Sequence, residues 1–362
     1  MLKFLFLFLF SLGVYGQTSG YDIGYYWISA DGQTTTKATG SNIPGYYDST
    51  KPTVIYYHGW QNGTCGNNVC RRENFIFLDP TKNNATVNTI ANWKSQDWNV
   101  GVFYWNQFAD EGEVKDAEAK IWSINGTQKM RYKLPNGTYS SVGSPTVSVS
   151  DIAYTDFLRI MGSYSGPEIR LAGHSLGSQL ATLVTYRLFS SKSSLMPKKL
   201  ELLDPFWSKD AKTFLGDQVT GKTDSGCLVK NGSTDWVGER IRCYIGIMTA
   251  NRTTQTYLPV TWLKTSAIGT TGVGDANDGL KPIVALVNCN SSWWSLTQQT
   301  QKHVWAKNVY FWSKGNKGTT NGFPYADAAI SDIRSAMNRG GTAGYSQSTG
   351  TTTAIPSDDT FK

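Results

Sequence analysis

The chain has 362 residues, a formal net charge of +7 and 13 tryptophans within an otherwise ordinary apolar content. That length supports a large buried core in one or two domains. Lysines and arginines are scattered, with no basic run and no aromatic–basic ladder, which argues against nucleic-acid binding.

The first residues, MLKFLFLFLFSLGVYG, join a lysine, an apolar run and small residues at Val14 and Gly16. This pattern predicts a secretory signal over residues 1–16, cleaved after Gly16, and a soluble extracellular chain from Gln17 onward. The apolar run is too short to span a bilayer, and no later segment reads as a transmembrane span. Tyr21 to Trp27 reads as a short aromatic strand, and Asp31 to Thr50 as a polar stretch. Thr53 to Tyr57 is a β-branched and aromatic run that predicts a buried strand, opening into a loop at His58-Gly59-Trp60. Thr89 to Ser95 suggests a short helix, and Asn99 to Trp105 a second buried strand.

Glu111 to Ile124 is helical in composition, with Val114, Ala117, Ile121 and Trp122 on one side. Lys129 to Val142 alternates around Pro135-Asn136-Gly137 and predicts an exposed hairpin. Ser148 and Asp151 form a capping-box pattern that opens a helix through Tyr164. Glu168 to Ala172 is a strand pattern, and Leu176, Leu180, Leu183, Val184 and Leu188 then recur at helical spacing. Lys199 to Asp204 and Arg242 to Thr249 read as further strands. Asn251 to Ser292 is irregular, and His303 to Trp312 and Tyr325 to Met337 are helix candidates. Strands alternating with helices predict an α/β fold, a mostly parallel sheet with helices on both faces. A catalytic domain is expected over residues 17–338. Residues 339–362, rich in Gly, Ser and Thr, are expected to form a flexible tail.

Sequons at Asn62, Asn84, Asn125, Asn136, Asn231, Asn251 and Asn290 fit a secreted glycoprotein. In an oxidising compartment the five cysteines predict two disulfide bonds and one spare thiol. Cys65–Cys70 closes the smallest loop and Cys227–Cys243 the next, which leaves Cys289; no spacing reads as a metal site.

Between the strand ending at Ala172 and the helix that follows lies Gly173-His174-Ser175-Leu176-Gly177. A Gly-x-Ser-x-Gly turn between strand and helix holds the serine on a strained corner, hydroxyl exposed, with a helix N-terminus behind it. Gly173 and Gly177 leave room where strand and helix nearly touch. A serine nucleophile needs a base in contact, and the base needs an acid to orient it. The chain has three histidines. His174 adjoins Ser175 but points away from the hydroxyl, and His58 precedes the nucleophile, with a ring expected to brace its loop. In the order serine, acid, histidine, only His303 fills the last place. Asp204, at the end of Leu202-Leu203-Asp204-Pro205, is the acid candidate, with Asp275 and Asp278 as rivals nearer His303. The oxyanion needs preset N–H donors. Leu176 supplies one, and Trp60, in the loop after the early strand, is the candidate for the second.

These residues resemble the pancreatic lipase family, secreted α/β-hydrolases that act on acylglycerols and phospholipids. VIYYHGW is similar to its strand and oxyanion loop, LAGHSLGSQLA to its nucleophile region, and LELLDP to the strand carrying its acid. The resemblance implies the α/β-hydrolase fold, and it favours Asp204 over Asp275 because the family takes its acid from that earlier strand. Ala306 and Tyr310 after His303 are similar to the helix following the family's histidine. The chain departs from the family in lacking a lid between two cysteines just before the histidine and a C-terminal β-sandwich, so no protein cofactor is expected.

The reading is a secreted triacylglycerol lipase using Ser175, His303 and Asp204 through an acyl-enzyme, with no metal or organic cofactor. Its partner is a lipid or ester substrate, met at a lipid–water interface if Trp293-Trp294 lies on the surface. A phospholipase or an esterase of water-soluble esters would use the same chemistry. A non-catalytic lipid-binding or storage protein on the same fold is the reading from another class.

Overall fold

The computed structural model describes residues 20–210, 212–216, 236–250, 257–268, 275–316, 325–339 and 344–362. Its frame is a ten-stranded sheet. The strands are β1 (Gly24–Ile28), β2 (Thr35–Lys37), β3 (Thr53–Tyr57), β4 (Asn99–Tyr104) and β5 (Ile169–His174), then β6 (Lys199–Leu203), β7 (Val260–Lys264), β8 (Ala285–Asn288), β9 (Tyr345–Thr349) and β10 (Thr360–Phe361). Across the sheet the order is β10-β9-β8-β7-β6-β5-β3-β4-β1-β2. The run from β9 to β4 is parallel, and β1, β2 and β10 are antiparallel. Strands covered on both faces have no polar side to show, and every residue of β3, β4, β5 and β6 is buried.

The cover is made by α1 (Val114–Trp122), α2 (Val149–Met161), α3 (Gly177–Ser190), α4 (Val237–Met248), α5 (Gln299–Trp312) and α6 (Ile330–Asn338). Helix α3 lies between α2 and α4 and packs on β3, β5 and β6; α5 packs on β5, β6 and β7. Helix α2 begins with the expected reciprocal cap, Ser148 accepting from Asp151 N–H and Asp151 from Ser148 N–H. Among the described residues no helix is long and apolar enough to cross a membrane. This is the architecture of the α/β-hydrolase fold. The chain leaves β3 toward β4 on one side and β5 toward β6 on the other, which opens a crevice outside the carboxyl ends of β3 and β5.

Three stretches differ from expectation. Arg242 to Thr249, read as a strand, is the C-terminal part of α4. Val237, Ile241, Tyr244, Ile245 and Met248 form its buried side, a period that only shows when the window starts before Arg242. The irregular stretch from Asn251 to Ser292 contains β7 and β8, short apolar runs between Gly- and Thr-rich segments. Residues 344–362, expected to be flexible, extend the sheet: β9 pairs with β8 and β10 folds back on β9. An edge strand is held by its backbone ladder and needs few apolar anchors, here Ala354, Pro356 and Phe361, with Phe361 edge-on to Tyr325 at 5.0 Å. Cys65 and Cys70 are disulfide-bonded, Cys243 is also disulfide-bonded, and Cys289 is a free buried thiol. Cys227, the signal sequence, Asn231 and Asn251 lie outside the described residues. The other sequon asparagines are exposed.

The corner between β5 and α3 is built on missing side chains. A Cβ on Gly173 would lie 2.3 Å from Gly177 O, and one on Gly177 would lie 2.0 Å from Tyr57 O at the end of β3. Replacing Gly177 by Ala is therefore expected to destabilise the protein by at least about 3 kcal/mol, measured by denaturant unfolding. Gly246→Ala in α4 is the control: a Cβ there meets nothing within 4 Å, so the change is expected to be neutral or stabilising by up to about 1 kcal/mol.

The β9–β10 hairpin carries a second prediction. Asp359 is buried and accepts from Tyr325 OH (3.0 Å) and Gln347 Nε2 (2.8 Å), while Tyr325 OH also contacts Cys289 Sγ (3.2 Å). Burial raises its carboxyl from 3.8 to about 8. A folded pKa above the unfolded one favours the protonated form. Its contribution is complete below about pH 4 and is lost as pH rises through about 8. Thermal melts of Asp359→Asn are expected to fall less between pH 5 and pH 9 than those of the wild type. Parallel curves would contradict this account of the hairpin.

Candidate active site

Ser175 follows β5 directly and has φ +55°, the left-handed region that a β-to-α corner forces on it. Its N–H donates to Leu203 O (3.1 Å), and its carbonyl accepts from Ser178 N–H (3.0 Å) and Phe206 N–H (3.3 Å). The turn is thus fastened to both α3 and the segment after β6. Ser178 Oγ closes it by donating to Gly173 O (2.7 Å). Ser175 is buried, and among the described residues its Oγ has no hydrogen-bond partner.

His303 sits in the second turn of α5, and its Nδ1 lies 2.7 Å from Asp204 Oδ2. A carboxylate accepts only, so Nδ1 carries the proton and Nε2 is left to accept one. Asp204 follows β6 directly at φ +44°, just before Pro205, with its N–H donating to Leu263 O (2.7 Å). Ser266 Oγ donates to Oδ2, and the N–H groups of Thr265 (3.3 Å) and Ser266 (3.5 Å) face Oδ1. These donors fix the carboxylate's orientation. Ser266 was not foreseen, because its neighbourhood after β7 carried no strand signal. The rival Asp278 is exposed and paired with Lys281 (2.7 Å) on a short helical turn. The Asp275 side chain lies outside the described residues.

The loop after β3 approaches the serine closely: a Cβ on Gly59 would lie 2.7 Å from Ser175 Cβ and 3.2 Å from its Oγ. Trp60 follows. Among the described residues neither the Trp60 N–H nor the Leu176 N–H, which opens α3, has an acceptor. Trp60 is held by its indole, which donates to Glu111 O (2.8 Å). Glu111 in turn receives Lys120 (2.5 Å) and Arg131 (2.5 Å) through a carboxylate with no solvent exposure. Burial pushes Lys120 down to about 8. Asp110 ties the rest of the loop, accepting from Gly63 N–H (2.8 Å), Cys65 N–H (2.6 Å) and Lys133 Nζ (3.0 Å). Arg131 and Lys133 come from the 129–142 segment, which therefore braces the loop from outside.

His58 occupies the place of a brace. Its Nε2 accepts from Trp105 N–H (3.0 Å), its Nδ1 faces Gly59 O (2.9 Å), and its ring stacks on Trp105 at 5.6 Å. Burial lowers its pKa, so the ring is neutral.

A network that sequence reading missed lies beneath the turn. Gln179 in α3 donates to Glu118 Oε1 (2.8 Å) and Phe206 O (2.9 Å) and accepts from Trp122 Nε1 (2.6 Å). Glu118 accepts from Ser208 N–H (2.9 Å) and Ser208 Oγ. Burial raises the Glu118 pKa, and the donors oppose that rise. Its only sequence signal was a charged residue inside the apolar side of α1. Trp293 and Trp294, half-buried, pack on Trp305 at 4.9 and 6.4 Å, beside exposed Leu296 (84%) and Val304 (43%).

Residues 102–203, from β4 through the serine turn to the end of β6, match the family model described as lipase (class 3). That segment is less than a third of the chain. No curated protein sequence matches the chain significantly. Among solved structures, a Thermus thermophilus protein aligns at 12% identity over 81% of this chain and 98% of its own, with a TM-score of 0.33. An S-formylglutathione hydrolase from Agrobacterium tumefaciens aligns at 11% identity over 64% and 72%, with a TM-score of 0.33. The thioesterase domain of a curacin biosynthetic pathway aligns at 9% identity over 79% and 98%, with a TM-score of 0.34. Together with the sheet order and the serine turn, the segment match makes the chain a carboxylic ester hydrolase of the α/β-hydrolase type.

Proposed function

We propose that the chain is a secreted triacylglycerol lipase working through Ser175, His303 and Asp204. The observation that carries this reading is the 2.7 Å contact of His303 Nδ1 with Asp204 Oδ2, where Asp204 follows Leu203, whose carbonyl accepts from the N–H of Ser175 on its left-handed strand-to-helix turn (3.1 Å). In this mechanism Ser175 Oγ attacks the acyl carbonyl and passes its proton to His303 Nε2. Asp204 holds the Nδ1–H and stabilises the imidazolium. The N–H groups of Trp60 and Leu176 receive the oxyanion. The tetrahedral intermediate collapses, the C–O bond to the alcohol breaks, and His303 returns the proton to the leaving oxygen. Water then attacks the acyl-enzyme with His303 again as base, releasing the acid and restoring Ser175.

Support for lipid as the substrate is coarser. The segment match is to a lipase family, and Leu296 and Val304 expose apolar surface on the same stretch as His303. Indole rings half-buried beside them suit an interface that is apolar on one side and wet on the other. The narrower resemblance to the pancreatic lipase family rests on VIYYHGW, LAGHSLGSQLA and LELLDP alone. Secretion rests on the N-terminal pattern, the sequons and the Cys65–Cys70 disulfide.

Ser175→Ala and His303→Ala are expected to abolish turnover of a short p-nitrophenyl ester with unchanged circular dichroism. Asp204→Asn should lower kcat by roughly 10⁴-fold, because an amide presents the wrong partner to Nδ1–H. Wild-type turnover in any of the three would refute the triad. On triacylglycerol, rate should jump above the solubility limit. Saturation on monomeric esters alone would make the chain an esterase, and preference for a phosphoglyceride emulsion would make it a phospholipase.

A further inference from the structure

His174 has no part in the mechanism above, yet its side chain is the direct link between the serine turn and the helix that carries the base. Its buried Nε2 lies 2.9 Å from the His303 carbonyl oxygen. A carbonyl only accepts, so Nε2 is protonated and donates. Burial first, and the neighbouring His303 second, push the His174 pKa down to about 3. The ring is therefore neutral in any ordinary buffer, with its Nε2 proton committed to the His303 carbonyl. The two imidazoles lie 4.5 Å apart and are tilted by 44°.

One turn further along α5, Lys307 Nζ donates to Asn74 O (2.9 Å) and faces the Glu73 carboxylate at 3.8 Å. Glu73 also accepts from Tyr56 OH (2.8 Å). Burial opposes its charge, but Lys307 and the other partners together outweigh this and hold it down at about 2. Helix α5 is thus fastened at residue 303 through its backbone as well as through the imidazole contact with Asp204, at residue 307 through its side chain, and further at Gln299, which accepts from Ala267 N–H (2.8 Å), and at Phe311 O, which accepts from Trp93 Nε1 (2.8 Å). Of these ties, the one from His174 to the His303 carbonyl reaches the serine through a single peptide bond, because His174 precedes Ser175.

The spacing between nucleophile and base is not set by a bond of their own: among the described residues Ser175 Oγ has no partner. We propose that His174 is a positioning residue, whose Nε2–H···O=C bond to His303 fixes the distance from Ser175 to the base. This inference rests on the triad reading. It predicts that the donor at the Nε2 position matters, rather than the volume of the ring. Glutamine carries an N–H donor at about that reach, asparagine carries one too close to the backbone, and leucine carries none.

The test compares His174→Gln, His174→Asn and His174→Leu on a soluble p-nitrophenyl ester, with Ser175→Ala in parallel. Leu and Asn should lower kcat by roughly 10–100-fold with KM within about twofold, since a misplaced base costs the chemical step rather than binding. Gln should recover to within about threefold of wild type. The acid limb of the pH–rate profile should move in Leu and Asn and stay in place in Gln. Should the leucine variant fail to fold, the Gln and Asn pair, matched by thermal melts, decides the same question. Equal activity of Gln and Asn, or an effect confined to KM, would overturn the positioning role while Ser175→Ala stays dead and the triad stands. Turnover by Ser175→Ala would overturn both.

Discussion

Backbone-to-backbone approach at the carboxyl ends of β3 and β5 is the constraint on which the site depends. The chain enters α3 with no side chain at Gly173 or Gly177, and β3 ends within reach of that corner, so Tyr57 O lies where a Gly177 Cβ would be. Gly59 continues the same approach and brings the loop after β3 against Ser175. Ser175 accepts a left-handed backbone because hydrogen bonds to Leu203, Ser178 and Phe206 hold it in place. One steric fact thereby brings the backbone of Gly59 up against the Ser175 side chain.

Around this corner the protein solves an electrostatic problem. Many charged groups are buried within reach of the site, and an unpaired buried charge is costly. Asp204 is met by His303, Ser266 and the Thr265 and Ser266 amides; Glu118 by Gln179 and Ser208; Glu111 by Lys120 and Arg131; Glu73 by Tyr56 and Lys307. Most of these pairings join segments far apart in sequence, so they also fix the site's geometry. The 129–142 segment shows the point. Its Arg131 orders Glu111, whose carbonyl holds the Trp60 indole. This segment thus reaches the loop after β3 through two partly buried contacts.

How much was legible follows from which signals are local. Thr53–Tyr57 coincides with β3 and the Ser148–Asp151 cap with the start of α2, because composition and capping act within a few residues. The serine turn was legible because its glycines, its serine and its flanking patterns are contiguous. His303 was singled out by order among three histidines, and Asp204 by its place at the end of a strand and by the family resemblance, which favoured it over Asp275; the two side chains lie 2.7 Å apart. What was not legible depends on distant partners. Ser266, Gln179 and Glu118 gain meaning only when β7, α3 and α1 meet. His174 was set aside because it points away from the serine, yet pointing away is what brings it to the His303 carbonyl. Helix α4 was misread because its window began too late, and the β9–β10 hairpin because a polar edge strand resembles a linker in composition.

The central claim is that one serine of the chain is activated by one histidine. It is tested most directly by reacting the purified protein with a p-nitrophenyl alkylphosphonate and locating the adduct by peptide mass spectrometry. The account predicts one phosphonyl group per chain, on the peptide containing Ser175, and no adduct on the same timescale in His303→Ala. An adduct on another serine, or labelling of Ser175 at the same rate without His303, would contradict it.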